Sequence, residues 1–187
     1  MQADSEATLA RERLRRRYRP TPVRILFVGE APPASGRFFY QADSGLYRAV
    51  RAGFVAAFPA LRDADFLESF SGLGCYLVDL CSMPVDRLGR EQREQACLDG
   101  ELRLGRIIKQ VQPKVMITVV RSIAANVARA QSQANWQGTY LELPYPGRWH
   151  QHRVAFLEEL IPVLRREFAR STVLAHARGS VLLADQV

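Results

Sequence analysis

Residues 23–33, Val-Arg-Ile-Leu-Phe-Val-Gly-Glu-Ala-Pro-Pro, constrain this chain more than any other stretch. An apolar run of large and β-branched side chains stops abruptly at Gly29-Glu30-Ala31-Pro32. A short apolar run bounded by turn residues reads as a strand buried on both faces, the kind found in parallel sheets. Gly29 is read as the residue that lets the backbone turn, while Pro32 and Pro33 forbid continuation as strand or helix. In open α/β sheets ligands bind outside the carboxyl ends of the strands, so Glu30 stands where chemistry would be done. The structural alternative is a strand-end carboxylate that caps a neighbouring loop.

The same grammar recurs. Residues 75–81, 114–120 and 139–143 read as strands, each ending near a polar residue or a proline. Between them lie helical patterns. Asp43 or Ser44 caps a helix that turns Leu46, Val50, Phe54 and Ala57 toward the sheet and stops at Pro59. A short helix follows at 63–70. A long one at 90–112 offers Leu98, Leu102, Ile107, Ile108 and Val111 as its apolar positions, with Gly100 and Gly105 as weak points. Residues 122–129 and a last amphipathic segment carrying Val154, Leu157, Leu160, Ile161, Leu164 and Phe168 complete the set, with a kink expected at Pro162. Strands alternating with helices predict a three-layer α/β/α fold around a central four-stranded parallel sheet. The loops at Glu30, Asp79 and Pro144 then converge on one cleft. The predicted organisation is a basic helix and linker at 1–22, the α/β domain at 23–170 and an unassigned tail at 171–187.

Composition narrows the function. A chain of 187 residues, 48% hydrophobic and 24% charged, suits one ordinary globular domain. No run of about 18 apolar residues is present, so no membrane span is expected. The N-terminal segment is polar and basic rather than signal-like, and a cytoplasmic location is expected. Cys75, Cys81 and Cys97 read as reduced, buried thiols. Three cysteines without a CxxC pair exclude an all-cysteine iron–sulfur cluster. The formal charge of +7 favours a polyanionic partner. Arg11, Arg13, Arg15, Arg16 and Arg17 crowd one helix, read either as a phosphate-contacting face or as a solvated one. Neither a Walker-type phosphate loop, nor GxGxxG, nor a GxSxG elbow occurs.

Four segments carry a family pattern. Gly29-Glu30-Ala31-Pro32-Pro33 is followed by Leu46-Tyr47-Arg48-Ala49-Val50-Arg51-Ala52-Gly53-Phe54. Then come Gly74-Cys75-Tyr76-Leu77-Val78-Asp79-Leu80-Cys81-Ser82-Met83-Pro84 and Pro144-Tyr145-Pro146-Gly147-Arg148-Trp149, the last continued by residues 153–160. In order and spacing these resemble the uracil-DNA glycosylase superfamily, most of all its mismatch-specific and thymine-DNA glycosylase branch. The resemblance covers residues 23–168. It implies excision of an aberrant base that is flipped from DNA into a pocket. Glu30 would position the attacking water, with Tyr145 at the second motif's catalytic position. Ala31, Phe38, Phe39 and Asp79 would bind the base, one phenylalanine by stacking and Asp79 by reading its edge. Gly147, Arg148, Trp149 and His150 would contact DNA, with Arg148 and Trp149 as the wedge. The partner would be double- or single-stranded DNA, the protein a monomer, and neither metal nor cofactor is implied.

The sequence also departs from that pattern. Asp79 stands where the family commonly has asparagine, and an ionised aspartate only accepts hydrogen bonds. It suits a base edge that presents donors. Tyr145 stands in place of histidine or asparagine, with His150 and His152 nearby as substitutes or as surface residues. Pro33 replaces a glycine. Core packing remains the alternative for Phe38 and Phe39, and a buried structural role for Trp149. Two functional readings follow: a glycosylase with altered base preference, or a superfamily member that binds DNA or a nucleotide without cleaving it. An unrelated α/β enzyme using the same crevice is a third.

Overall fold

A computed structural model describes residues 2–147 and 149–169, the first few by backbone alone. The expectations for Arg148 and for the tail at 171–187 fall outside the described residues. Ten principal elements follow in chain order: α1 (Gln2–Arg17), β1 (Ile25–Gly29), α2 (Gly45–Ala57), α3 (Phe66–Gly72), β2 (Cys75–Asp79), α4 (Arg90–Val111), β3 (Val115–Thr118), α5 (Ala124–Gln133), β4 (Thr139–Glu142) and α6 (His150–Phe168). The strands form one parallel sheet in the order β2-β1-β3-β4. Right-handed crossovers to opposite sides of β1 put α2 and α3 on one face and α4 and α5 on the other. Helix α6 returns to pack on α2, which completes the three layers. No helix among the described residues is long and apolar enough to cross a membrane.

Every residue of β1, β2 and β3 is buried, as continuous apolar runs require of strands covered on both faces. Phe27 meets Phe70 of α3, and Phe54, Phe66, Phe70 and Phe168 extend that contact into one aromatic core layer. Ser44 caps α2, its Oγ accepting from the Tyr47 N–H at 3.1 Å. The edge strand β2 is sealed by Tyr40, whose hydroxyl accepts from the Leu77 N–H at 2.7 Å and donates to the Leu77 carbonyl at 3.1 Å. That contact pins the long loop after β1 against the sheet. Burial pushes the Tyr40 hydroxyl well above its ordinary pKa.

Three local expectations change. Helix α4 buries Ile108 and packs Ile107 and Val111 against the core as expected, but it exposes Leu98 and Leu102 and instead buries Cys97, Gly100, Glu101, Leu104 and Gly105. Gly100 is the reason, since a Cβ there would lie 2.3 Å from the Leu80 carbonyl oxygen, so the helix rides directly on backbone. Val154, at the outer side of α6, is exposed as well. Helix α1 presents Arg13, Arg16 and Arg17 to solvent but buries Arg15, and Tyr18 beyond it stacks on Tyr40 at 5.6 Å.

Candidate functional site

Strand β1 connects outward to β2 and β3 connects outward to β4, so the chain reverses direction between β1 and β3. Crevices at such switch points, beyond the carboxyl ends of the strands, are where open α/β sheets bind ligands. A cleft of about 470 Å³ lies there, a size suited to a small molecule or a single base. Gly29, Glu30, Ala31, Phe38, Phe39, Asp79 and Tyr145 all border it. Sequence reasoning therefore brought residues from three strand-end loops to one place.

The two carboxylates are held differently. Glu30 forms a bidentate pair with Arg93 of α4, Nε to Oε1 at 2.6 Å and Nη2 to Oε2 at 2.5 Å. The pair forms a partition. On its far side lies a second, more open depression of about 680 Å³, bordered by Arg90, Cys97, Leu98, Asn126 and Arg129. Cys97 Sγ approaches Glu30 Oε1 at 3.9 Å and Cys81 Sγ at 3.8 Å. The three cysteines are free and buried, and burial pushes the Cys81 thiol up to about 12.

Asp79 ends β2 and is met by Arg15 of α1, Nη2 to Oδ2 at 2.8 Å, with both side chains out of solvent (5% and 7% exposed). Arg15 also pairs with Glu12 and lies over the Phe38 ring, 5.3 Å from its centroid. Arg103 of α4 donates to the Asp79 carbonyl and, at 3.1 Å, to the Leu80 carbonyl. Burial raises the Asp79 carboxyl above its ordinary pKa, and the Arg15 and Arg103 guanidinium groups pull against that rise.

Gly29 owes its place to close approach. Its φ is not among the positive ones, and a Cβ there would lie 2.7 Å from Asp79 Oδ1. The turn role expected of it gives way to that crowding.

Phe38 and Phe39 are both buried. Phe39 packs edge-on against Tyr40 and Tyr47. They form part of the cleft wall while belonging to the core. Tyr145 is exposed at the cleft mouth. Gly147 takes φ +50, a left-handed conformation that suits glycine, and leads the chain to the start of α6. Trp149 and His150 stand at that helix start, and Trp149 is 65% exposed, which removes the buried structural reading of its indole. Exposed Arg37 borders the cleft as well.

Arg15, Arg93 and Arg103 are the site residues that sequence reasoning missed. Arg15 alone carried a signal: Leu14 and Tyr18 share a helical stripe beside it. Among the described residues no group of three or more His, Cys, Asp or Glu side chains is placed to hold a metal ion. The sequence matches no protein-family model and no curated protein.

Proposed function

We propose that this protein is a DNA glycosylase-like enzyme that hydrolyses the N-glycosidic bond of a damaged or deaminated base flipped out of DNA. The observation that carries the reading is the convergence of Glu30 and Asp79 on one base-sized cleft, with Tyr145 at its mouth and an exposed Trp149 just beyond. In this reading Glu30 orients a water whose oxygen bonds to the sugar C1′ as the C1′–N bond breaks. The base leaves with the proton that the water gives up. Asp79 reads the base edge, Phe38 and Phe39 with Ala31 wall the pocket, and Tyr145 donates to the departing base. Trp149 fills the vacated stack, and Gly147 and His150 lie against the DNA backbone. DNA is the partner, the protein acts as a monomer, and a cytoplasmic setting keeps its thiols reduced.

The alternative is binding without cleavage. The bidentate hold of Arg93 on Glu30 favours it, because a carboxylate tied at both oxygens has less freedom to orient water. Labelled single- and double-stranded oligonucleotides carrying uracil, hypoxanthine, xanthine or mismatched thymine decide between the two readings. The expected result is alkali-labile abasic sites on at least one substrate, abolished by Glu30→Gln. No base release at stoichiometric enzyme, with salt-dependent DNA binding retained, would leave the binding reading in its place.

A further inference from the structure

We propose that Arg15, from the N-terminal helix, is a specificity-determining positioning residue that makes the cleft select heterocycles presenting N–H donors. This rests on the reading of the cleft as a base pocket.

Four observations carry it. Arg15 and Asp79 form a buried ion pair at 2.8 Å, which favours the ionised, acceptor-only form of the carboxylate. The pair uses Oδ2 alone. Among the described residues no hydrogen bond ends on Oδ1, which faces Gly29 at the cleft wall. Glycine at that position gives Oδ1 room, where a Cβ would lie 2.7 Å away. Finally, the same guanidinium covers the Phe38 ring, so one side chain sets both the acceptor and the wall beside it.

Arg15 is not explained by its own satisfaction. Its Nε–H is buried and finds no acceptor among the described residues. Buried donors without partners are uncommon in folded proteins, and each calls for a reason. The two guanidinium nitrogens that do bond are spent on Glu12 and Asp79.

The chemical consequence concerns the ligand edge. A free carboxylate oxygen in a desolvated pocket attracts a ring N–H or an exocyclic amino group. It repels a carbonyl placed against it, because two acceptors then face each other without a proton. The favoured class is a planar nitrogen heterocycle with adjacent ring N–H and amino donors. A heterocycle that flanks its ring N–H with two carbonyls is disfavoured.

The test uses the full chain and two soluble free bases of similar size, isocytosine and uracil, titrated by calorimetry. The wild-type protein is expected to bind isocytosine about tenfold more tightly than uracil. Asp79→Asn, whose amide can donate to a carbonyl, is expected to lose or reverse that preference. Arg15→Met is expected to lose it too, since Asp79 then takes up a proton. Arg15→Lys keeps the charge and is expected to keep the preference. Circular dichroism checks each fold, and if Arg15→Met does not fold, the other two variants carry the comparison.

Equal affinity for the two bases, or binding of neither by the folded wild type, overturns the inference. So does a folded Arg15→Met that discriminates as well as wild type. Its failure is separable from that of the glycosylase reading. Selective binding of isocytosine without base release from any oligonucleotide upholds this inference and rejects the enzyme. Release of uracil from DNA, together with no preference between the free bases, does the reverse.

Discussion

Two neighbouring strands end in the same way and lead to opposite environments. At the end of β1, Glu30 pairs with an arginine whose side chain is 45% exposed. At the end of β2, Asp79 pairs with an arginine that is 5% exposed. Both partners come from helices distant in sequence, and both carboxylates border one cleft. The difference lies in solvent. A half-exposed guanidinium can leave its carboxylate and be rehydrated, so the Glu30 pair is an exchangeable contact. A buried guanidinium has nowhere to be rehydrated, so the Asp79 pair is a fixed part of the fold. One cleft therefore combines a rim acid able to change partner with an inner acid that cannot.

Removing Arg15 should break this comparison most strongly. Arg15→Met leaves a buried carboxylate unpaired, and a loss of about 3–5 kcal/mol in unfolding free energy is expected at neutral pH from denaturant titration. The loss should shrink in mild acid. Burial already sets the native Asp79 pKa above its unfolded value, and losing Arg15 raises it further. Between those two values the native carboxyl keeps its proton and the unfolded one does not. Stability therefore falls as pH rises through that window and recovers as pH is lowered. A deficit of the same size in mild acid and at neutrality would show that lost packing, and not an unpaired charge, is its source.

A smaller effect is expected from Gly29→Ala. The new methyl would lie 2.7 Å from Asp79 Oδ1 and must displace it, at an expected loss of about 1–3 kcal/mol, read as a lowered melting temperature. Unchanged melting would mean that Asp79 has room to move and is less fixed than Glu30's neighbourhood suggests.

The smallest effect should come from Arg93→Gln. Its partially exposed pair is expected to contribute about 0–1 kcal/mol, so denaturation curves should nearly superimpose on wild type. A loss matching that of Arg15→Met would erase the distinction between the two strand ends.

Much of the framework was legible in the residues. The apolar runs placed β1, β2 and β3 to within a few positions, and the polar residue closing each of the first two marked Glu30 and Asp79 as neighbours at one sheet edge. Helix α4 was harder. Its leucines suggested a face built on Leu98 and Leu102, but the helix seats on Gly100, where close backbone approach outweighs the burial of two larger side chains. Trp149 was open between wedge and core, because an indole serves either purpose and only its position at the start of α6 exposes it.

By itself the sequence determined a parallel α/β/α scaffold, since continuous apolar strands bounded by Gly, Pro and helical periodicity admit few other arrangements. It also determined which acidic side chains end those strands. Only the tertiary structure decided what those acids face. A guanidinium reaches its partner according to where its helix lands, and the landing of α1 and α4 depends on packing summed over the whole core. Periodicity reports which side of a helix is buried, but not which carboxylate an arginine on that side will meet. Arg15 on Asp79 and Arg93 on Glu30 are therefore products of the fold, and they separate two similar strand ends into a fixed acid and an exchangeable one.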